Sequence, residues 1–182
     1  RIERTMLDDL ADQMQIREAT ERQRKADELA SRMEYYAAYK LYEAGGKPFE
    51  NEKNLLYRKY TSLIDAQKAV AEKDNSAAAH YQLGRTYYDH ASDPKEASQR
   101  EAALERARKH LERAIKLDET SQDAFLVLAR VLEKQGKPGQ FQPYLPKLEK
   151  IHDKSDDTLL FLGSVYVQQG KDDLAMEHLN RI

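Results

Sequence analysis

A short residue pattern that returns in phase constrains this chain more than any other feature. Leu162-Gly163 is followed by Tyr166, Gly170, Ala175 and Leu179, at offsets of 0, 1, 4, 8, 13 and 17 residues. Leu128-Ala129, with Leu132 and Gly136, repeats the beginning of that pattern 34 residues earlier, and Leu83-Gly84 with Tyr87 repeats it 45 residues before that. Large residues one turn apart make a helix face, and the Gly eight residues after the Leu ends that helix. Ala and Leu then resume on a second helix, so the unit is a hairpin. A hairpin of this size cannot bury its apolar face alone, and successive units must stack.

The rest of the chain agrees with a helical class. Only 7 Gly and 5 Pro occur in 182 residues, and no segment alternates apolar and polar residues between turn signals. Residues 1–44 contain neither Gly nor Pro and carry Ile2, Met6, Leu10 and Met14 at four-residue spacing, which predicts one long helix. From Arg17 to Glu28 its apolar stripe thins to Ala19 and Ala26, while Glu18 with Arg22, Glu21 with Lys25 and Glu28 with Arg32 fall at favourable i,i+4 spacing. Gly45-Gly46-Lys47-Pro48 stops it. A second helix is expected over 50–73, with Leu55, Leu56, Tyr60, Leu63, Ala66 and Val70 on one side. Asn75 or Ser76 caps a third that ends near His90, and Asp93, Pro94 and Glu96 predict a capping box opening a fourth that runs to Leu117. Thr120 or Ser121, and then Ser155, cap later helices.

At these residues the chain resembles the tetratricopeptide repeat family, whose unit of about 34 residues is a helix-turn-helix with Leu-Gly and Tyr in its first helix and small residues in its second. The first-helix set is His80, Leu83, Gly84 and Tyr87; then Phe125, Leu128, Ala129 and Leu132; then Leu159, Leu162, Gly163 and Tyr166. The second-helix set is Ala107, Leu111 and Ala114, and again Ala175, Leu179 and Ile182. The resemblance implies an all-α, right-handed superhelical solenoid of antiparallel hairpins, preceded by a long N-terminal helix. It divides the chain into an extended helix at 1–31, a degenerate hairpin at 32–76, a unit at 77–121, another at 122–155 and a truncated one at 156–182. In the degenerate hairpin Tyr35, Tyr42 and Gly46 keep the spacing, but Ala38-Tyr39 replaces Leu-Gly. In unit 77–121 Tyr87 and Ala107 lie 20 apart, against 9 for Tyr166 and Ala175. The 11 extra residues are close to three helical turns, so both helices are expected to lengthen into a projecting hairpin. In unit 122–155, Pro143 and Pro146 predict a second helix that starts late or kinks.

Function classes narrow by chemistry. The 30 Lys and Arg balance 32 Asp and Glu, which argues against a nucleic-acid binder that must neutralise phosphates on one face. No apolar run approaches the roughly 18 residues of a membrane span, and zero Cys removes disulfides, thiolate metal sites and Cys nucleophiles. Phosphate-loop and H-E-x-x-H patterns are missing, and His80, His90, His110, His152 and His178 are scattered. Asp156-Asp157 and Asp172-Asp173 stand where helices begin, so they read as favourable charges at helix N-termini rather than metal ligands. The expectation is a non-enzymatic chain without cofactor or metal. Beginning at Arg1 and ending at Ile182 inside an amphipathic pattern, it reads as a piece of a longer protein, and its compartment is open between cytoplasm and periplasm.

In the resembled family the first helices line a concave groove. Carried onto this sequence, the implied partner-binding positions are Tyr36, Lys40, Tyr81, Arg85, Tyr88, Leu126, Arg130, Leu160, Ser164 and Val167. They imply an aromatic and apolar floor with basic groups spaced along it, suited to a peptide or helical segment of a partner protein. The positions that hold a chaperone C-terminal carboxylate in some members carry Tyr81, Arg85, Val127, Asp157 and Phe161 here, so that ligand is not expected. The alternative is self-assembly, with the N-terminal helix or the projecting hairpin joining copies of the chain. An uncapped apolar end is also expected near Leu174, Leu179 and Ile182.

Overall fold

The computed structural model describes the backbone of residues 2–182 and side chains from Leu10 onward, so the Ile2 and Met6 end of the predicted stripe lies outside the described side chains. Among the described residues the chain is all-helical, without strands. Its α-helices are α1 (Ile2–Ser31), α2 (Tyr35–Gly45), α3 (Glu50–Glu72), α4 (Ala77–Ser92), α5 (Arg100–Leu117), α6 (Gln122–Lys134), α7 (Leu145–Glu149), α8 (Asp156–Gln168) and α9 (Asp172–Leu179). Short 3-10 segments cover Lys47–Phe49, Pro94–Gln99 and Pro138–Tyr144. The helices form two compact units, Arg1–Glu72 and Lys73–Ile182.

In the first unit the single helix expected over 1–44 is broken at Arg32–Glu34. Met33 takes the left-handed conformation at φ 58°, a place usually filled by Gly. Its N–H donates to the Ala30 carbonyl and the Glu34 N–H donates to the Leu29 carbonyl, both at 2.9 Å, which closes a Schellman cap without glycine. Two interactions outweigh the backbone cost. The Met33 side chain is buried, and the Gln67 amide of α3 grips the turn: its Nε2 donates to the Met33 carbonyl at 2.6 Å while its Oε1 accepts from the Tyr36 N–H at 2.8 Å. With the chain reversed, Ala26 of α1 packs on Ala38 and Tyr42 of α2 and on Phe49. Tyr42 Oη donates to Asp27 at 2.8 Å and accepts from Gln23 at 3.1 Å, tying α2 to α1; burial and the Asp27 carboxylate raise the Tyr42 pKa. A side chain on Gly45 would lie within 2.2 Å of the Phe49 ring, so Gly is required there by space.

Other local expectations change in this unit. Glu28 does pair with Arg32, but Glu21 pairs with Arg24 at i,i+3, and Arg22 reaches the Leu41 carbonyl at 3.4 Å. Helix α3 leaves helical geometry at Tyr60 (φ −126°, ψ 29°), where the ring stacks on Tyr35 with centroids 3.8 Å apart. Leu63 and Ile64 are buried beyond the kink, whereas Leu55, expected on the apolar side, is 70% exposed.

The left-handed turn gives a direct test. Met33→Ala keeps the strain and loses the burial, whereas Met33→Gly loses the burial but removes a left-handed penalty of about 1–2 kcal/mol. Thermal unfolding should therefore find Met33→Gly the milder of the two by about 1 kcal/mol, the reverse of the ordinary Ala–Gly order in helices.

In the second unit α4 and α5 form one hairpin and α8 and α9 another, with α6 packed on α5. Ser76 caps α4 by accepting from the Ala79 N–H at 3.2 Å, and Ser155 caps α8 by accepting from the Thr158 N–H at 3.3 Å. Gly136 (φ 69°) and Gly170 (φ 68°) end α6 and α8 in the left-handed conformation. In each the second residue past the cap bonds back to the helix, Lys137 N–H to the Leu132 carbonyl at 2.8 Å and Lys171 N–H to the Tyr166 carbonyl at 2.9 Å. Asp93 caps a helical segment with Pro94 at its first position as expected, but the capping box with Glu96 does not form and the segment is not α-helical. Asp93 accepts from the Lys95 N–H, but its own N–H is taken by the His90 carbonyl, and Glu96 has non-helical angles (φ −106°, ψ 25°). Residues 94–99 form 3-10 turns instead, and α5 starts at Arg100. Both helices of this hairpin do lengthen, α4 running 5 residues past Tyr87 where α8 runs 2 past Tyr166 and α5 beginning 7 residues before Ala107 where α9 begins 3 before Ala175, and the 3-10 connection takes up the rest. The prolines act as expected: Pro143 lies in a 3-10 segment and Pro146 in the first turn of α7, which has only 5 residues.

Candidate functional site

The two long hairpins of the second unit repeat the same contacts. Ser76, Leu83, Gly84 and Tyr87 of α4 correspond at a constant offset to Ser155, Leu162, Gly163 and Tyr166 of α8, while Ala107, His110 and Leu111 of α5 correspond to Ala175, His178 and Leu179. A Cβ on Gly84 would lie 2.7 Å from Leu111 Cγ and 3.2 Å from the Ala107 carbonyl oxygen; a Cβ on Gly163 would lie 2.7 Å from Leu179 Cγ. In each hairpin a Leu therefore seats in the gap left by a Gly across the interface. The Tyr87 ring lies nearly parallel to His110 at 5.9 Å, and Tyr166 nearly parallel to His178 at 5.6 Å. These paired contacts set the rotation of α4 and α8 about their axes, and so decide which residues face outward.

The close approach at Gly84 is testable. Its neighbours include backbone, so Gly84→Ala should cost about 1–3 kcal/mol of unfolding free energy by overpacking. A Leu111→Ala change made in the Gly84→Ala background should cost markedly less than Leu111→Ala alone, in a double-mutant cycle on chemical denaturation.

The positions implied for partner binding fall in both units. Tyr36 and Lys40 belong to the first, where the Tyr36 N–H is held by Gln67 and Lys40 pairs with Glu43. The other eight belong to the second. On α4, Arg85 donates to Tyr81 Oη at 3.3 Å, and Asp89 and Asp123 join Tyr81 in raising the Arg85 pKa. Arg85 thus stays charged, with Tyr81 as its hydrogen-bond partner on its own helix. Tyr88 receives the Lys134 ammonium of α6 at 5.3 Å from its ring centre, so α4 and α6 share one surface. Arg130 is exposed on α6. Leu126 departs from its expected role as exposed floor: at 8% exposure it belongs to the core with Phe125 and Leu128. On α8, Leu160 and Val167 are 51% and 55% exposed, and Ser164 between them bonds the Phe161 carbonyl. The apolar end expected from Leu174 and Ile182 is exposed too, while Leu179 is half-buried against Gly163.

The histidines are less scattered than their sequence positions. His80 and His110, 30 residues apart, meet with Nδ1 atoms 2.9 Å apart, and the His80 Nε2 lies 2.8 Å from the Asp74 carbonyl oxygen. Their ring centres, 5.2 Å apart, are as distant as that Nδ1 contact permits, so the rings meet head on. A carbonyl only accepts, which places a hydrogen on His80 Nε2; neutral His80 then has a bare Nδ1 that accepts from His110 Nδ1–H. Burial, then His80, then Arg106 push the His110 pKa down to about 4, with Asp74 opposing. His178, at the place of His110 in the other hairpin, has a buried Nδ1 without a hydrogen-bond partner, because Leu159 stands where α4 has His80. The shared phase of Ala107 with His110 and Ala175 with His178 was the sequence signal for these stacked rings. The His80 contact has no such signal.

A depressed His110 pKa makes stability depend on pH. The unfolded chain takes up this proton near the ordinary His value of about 6.5, the folded chain only near about 4. Stability is therefore complete above about pH 6.5 and falls as pH drops through the window down to about 4. Denaturant titrations should show the second unit losing roughly 2–3 kcal/mol across that window, and His110→Gln should flatten the profile.

Among the described residues no group of three or more His, Asp or Glu is placed to hold a metal ion, and no helix is long and apolar enough to cross a membrane. No family model matches the chain, and no curated protein matches it.

Proposed function

We propose that this chain is a tetratricopeptide-like helical-repeat scaffold that binds a segment of a partner protein, without chemistry of its own. The observation that carries the reading is the recurrence of one contact set, a Leu seated on a Gly and a His stacked on a Tyr, in the α4–α5 and α8–α9 hairpins. Hairpins built alike present equivalent faces: Tyr81, Arg85 and Tyr88 on α4 correspond to exposed Leu160, Ser164 and Val167 on α8, and exposed Arg130 lies on α6 between these helices in the sequence. Arg and Tyr contribute strongly when a partner desolvates them, and Leu160 and Val167 offer apolar area that otherwise stays in water. The arrangement suits the apolar side of a partner helix, with Arg130 and the mixed charges around Arg85 setting its orientation.

The experiment is a partner capture with variants chosen on exposed positions. Leu160→Asp with Val167→Asp should abolish capture while leaving helicity and melting unchanged, and Arg130→Ala should weaken binding by about 1–2 kcal/mol. Capture unchanged in both would remove this face from consideration. A second reading, self-association through α1, is favoured by Leu10, Met14 and Ile16, all exposed. Light scattering decides it: a mass that rises with concentration and drops to the monomer after polar substitution of those three residues places assembly ahead of partner capture.

A further inference from the structure

We infer that the His80–His110 pair is an acid-released latch that holds the first turn of α4 and the residues before it onto α5. The argument rests on what anchors that segment. From Lys73 to Ala79 every side chain is exposed or half-buried; His80, 5% exposed, is the first that is buried. It joins two elements at once, bonding the Asp74 carbonyl through Nε2 and His110 of α5 through Nδ1. The remaining side-chain tie is a bond from Arg113 to Asn75 Oδ1 at 3.1 Å. The corresponding turn of α8 is held differently, by fully buried Thr158 and by Leu159, neither of which titrates.

Proton balance makes the latch sensitive to acid. The neutral pair carries two ring hydrogens, one on His80 Nε2 and one on His110 Nδ1, and the latter forms the joining bond. One added proton leaves a single hydrogen between the two Nδ1 atoms, so the bond stays in place, but it makes the half-buried pair a cation. The groups facing His110 are Arg106 on α5, which repels the charge, His80 and the Tyr87 ring on α4, and the Asp74 carboxylate, 3.7 Å from His80 Nε2 and largely in solvent. A second proton puts a hydrogen on both Nδ1 atoms, pointing at each other across the 2.9 Å contact. Two donors and two like charges then oppose each other, and separation of the rings lets water solvate both. Opening costs little elsewhere, because the released segment carries no buried apolar side chain.

Hydrogen exchange supplies a matched pair of probes in one molecule. The His80 N–H bonds to the Ser76 carbonyl at 3.1 Å, and the Leu159 N–H bonds to the Ser155 carbonyl at 2.9 Å, at the same position of the two hairpins. Between about pH 7 and pH 4.5, after correction for intrinsic rates, protection of His80 should fall roughly tenfold or more relative to Leu159, with helix content retained. His110→Gln, whose amide can still donate to His80 Nδ1, should hold that ratio constant. His80→Leu, which copies the α8 anchor, should do the same and guards against a variant that folds poorly. A ratio that does not move with pH in the parent chain overturns the proposal. So does equal loss at both amides, which is unfolding of the whole unit, and so does an unchanged pH response in the two variants.

Discussion

The second unit depends on two helices approaching closely enough for a Leu of one to enter the space where the other has no side chain. Gly84 receives Leu111 and Gly163 receives Leu179. Close approach at one point fixes the distance between the axes, and the neighbouring Tyr–His stacks fix their rotation. With distance and rotation set, Leu83, Tyr87, Leu104 and Ile115 are directed inward in the first hairpin, and Leu162, Tyr166 and Ala175 in the second. What faces out follows without further choice. Arg85, Ser164 and Val167 are exposed because they lie on the side of α4 and α8 away from those seats. A face selected by packing rather than by its own chemistry can vary in composition while keeping its geometry.

The first unit solves a different problem. Its α1 has to stop and reverse without a glycine or proline, and it does so at Met33 in the left-handed conformation. Local preference alone would continue the helix. Burial of Met33 and the two hydrogen bonds from Gln67 oppose that preference, and both come from residues distant in sequence. The turn is thus a tertiary decision written into backbone geometry. Once made, it lets Ala26 meet Ala38 closely enough for Tyr42 and Phe49 to close the small core, while Tyr42 bonds Asp27 at its edge.

These two solutions explain what could be read from the sequence and what could not. Helix class, most helix boundaries, the glycine stops at Gly136 and Gly170 and the seats at Gly84 and Gly163 were legible, because each is set by residue type within one or two turns. The break at Met33 was not, since its residue type argues against it. The Asp93 capping box failed for a related reason: the Asp93 N–H was already committed to the end of α4 through the His90 carbonyl, so it had no vacancy for Glu96. Leu55 was misplaced by periodicity, being exposed beyond the reach of the core, and Leu126 by the groove positions the resemblance implied, being drawn into the core. Of the implied binding positions, those on α8 have the exposure the pattern suggests, whereas Arg85 is engaged with Tyr81 in a way spacing does not reveal.

The histidines show how repetition and variation divide the work. A Tyr–His stack recurs in both hairpins, and is part of what makes them alike. The residue one turn before the Leu-Gly pair differs, His80 in one and Leu159 in the other, and that one difference changes the kind of force at the start of the hairpin. Leu159 is held by exclusion of water, which is indifferent to protons near neutral pH. His80 is held by two directional bonds, one of which exists only while a ring nitrogen stays bare. The orphaned Nδ1 of His178 marks the cost of the apolar choice, a buried polar atom left without a partner. Satisfying that atom in the other hairpin required a second titratable ring, and with it came a dependence on pH that a repeat built from Leu does not have.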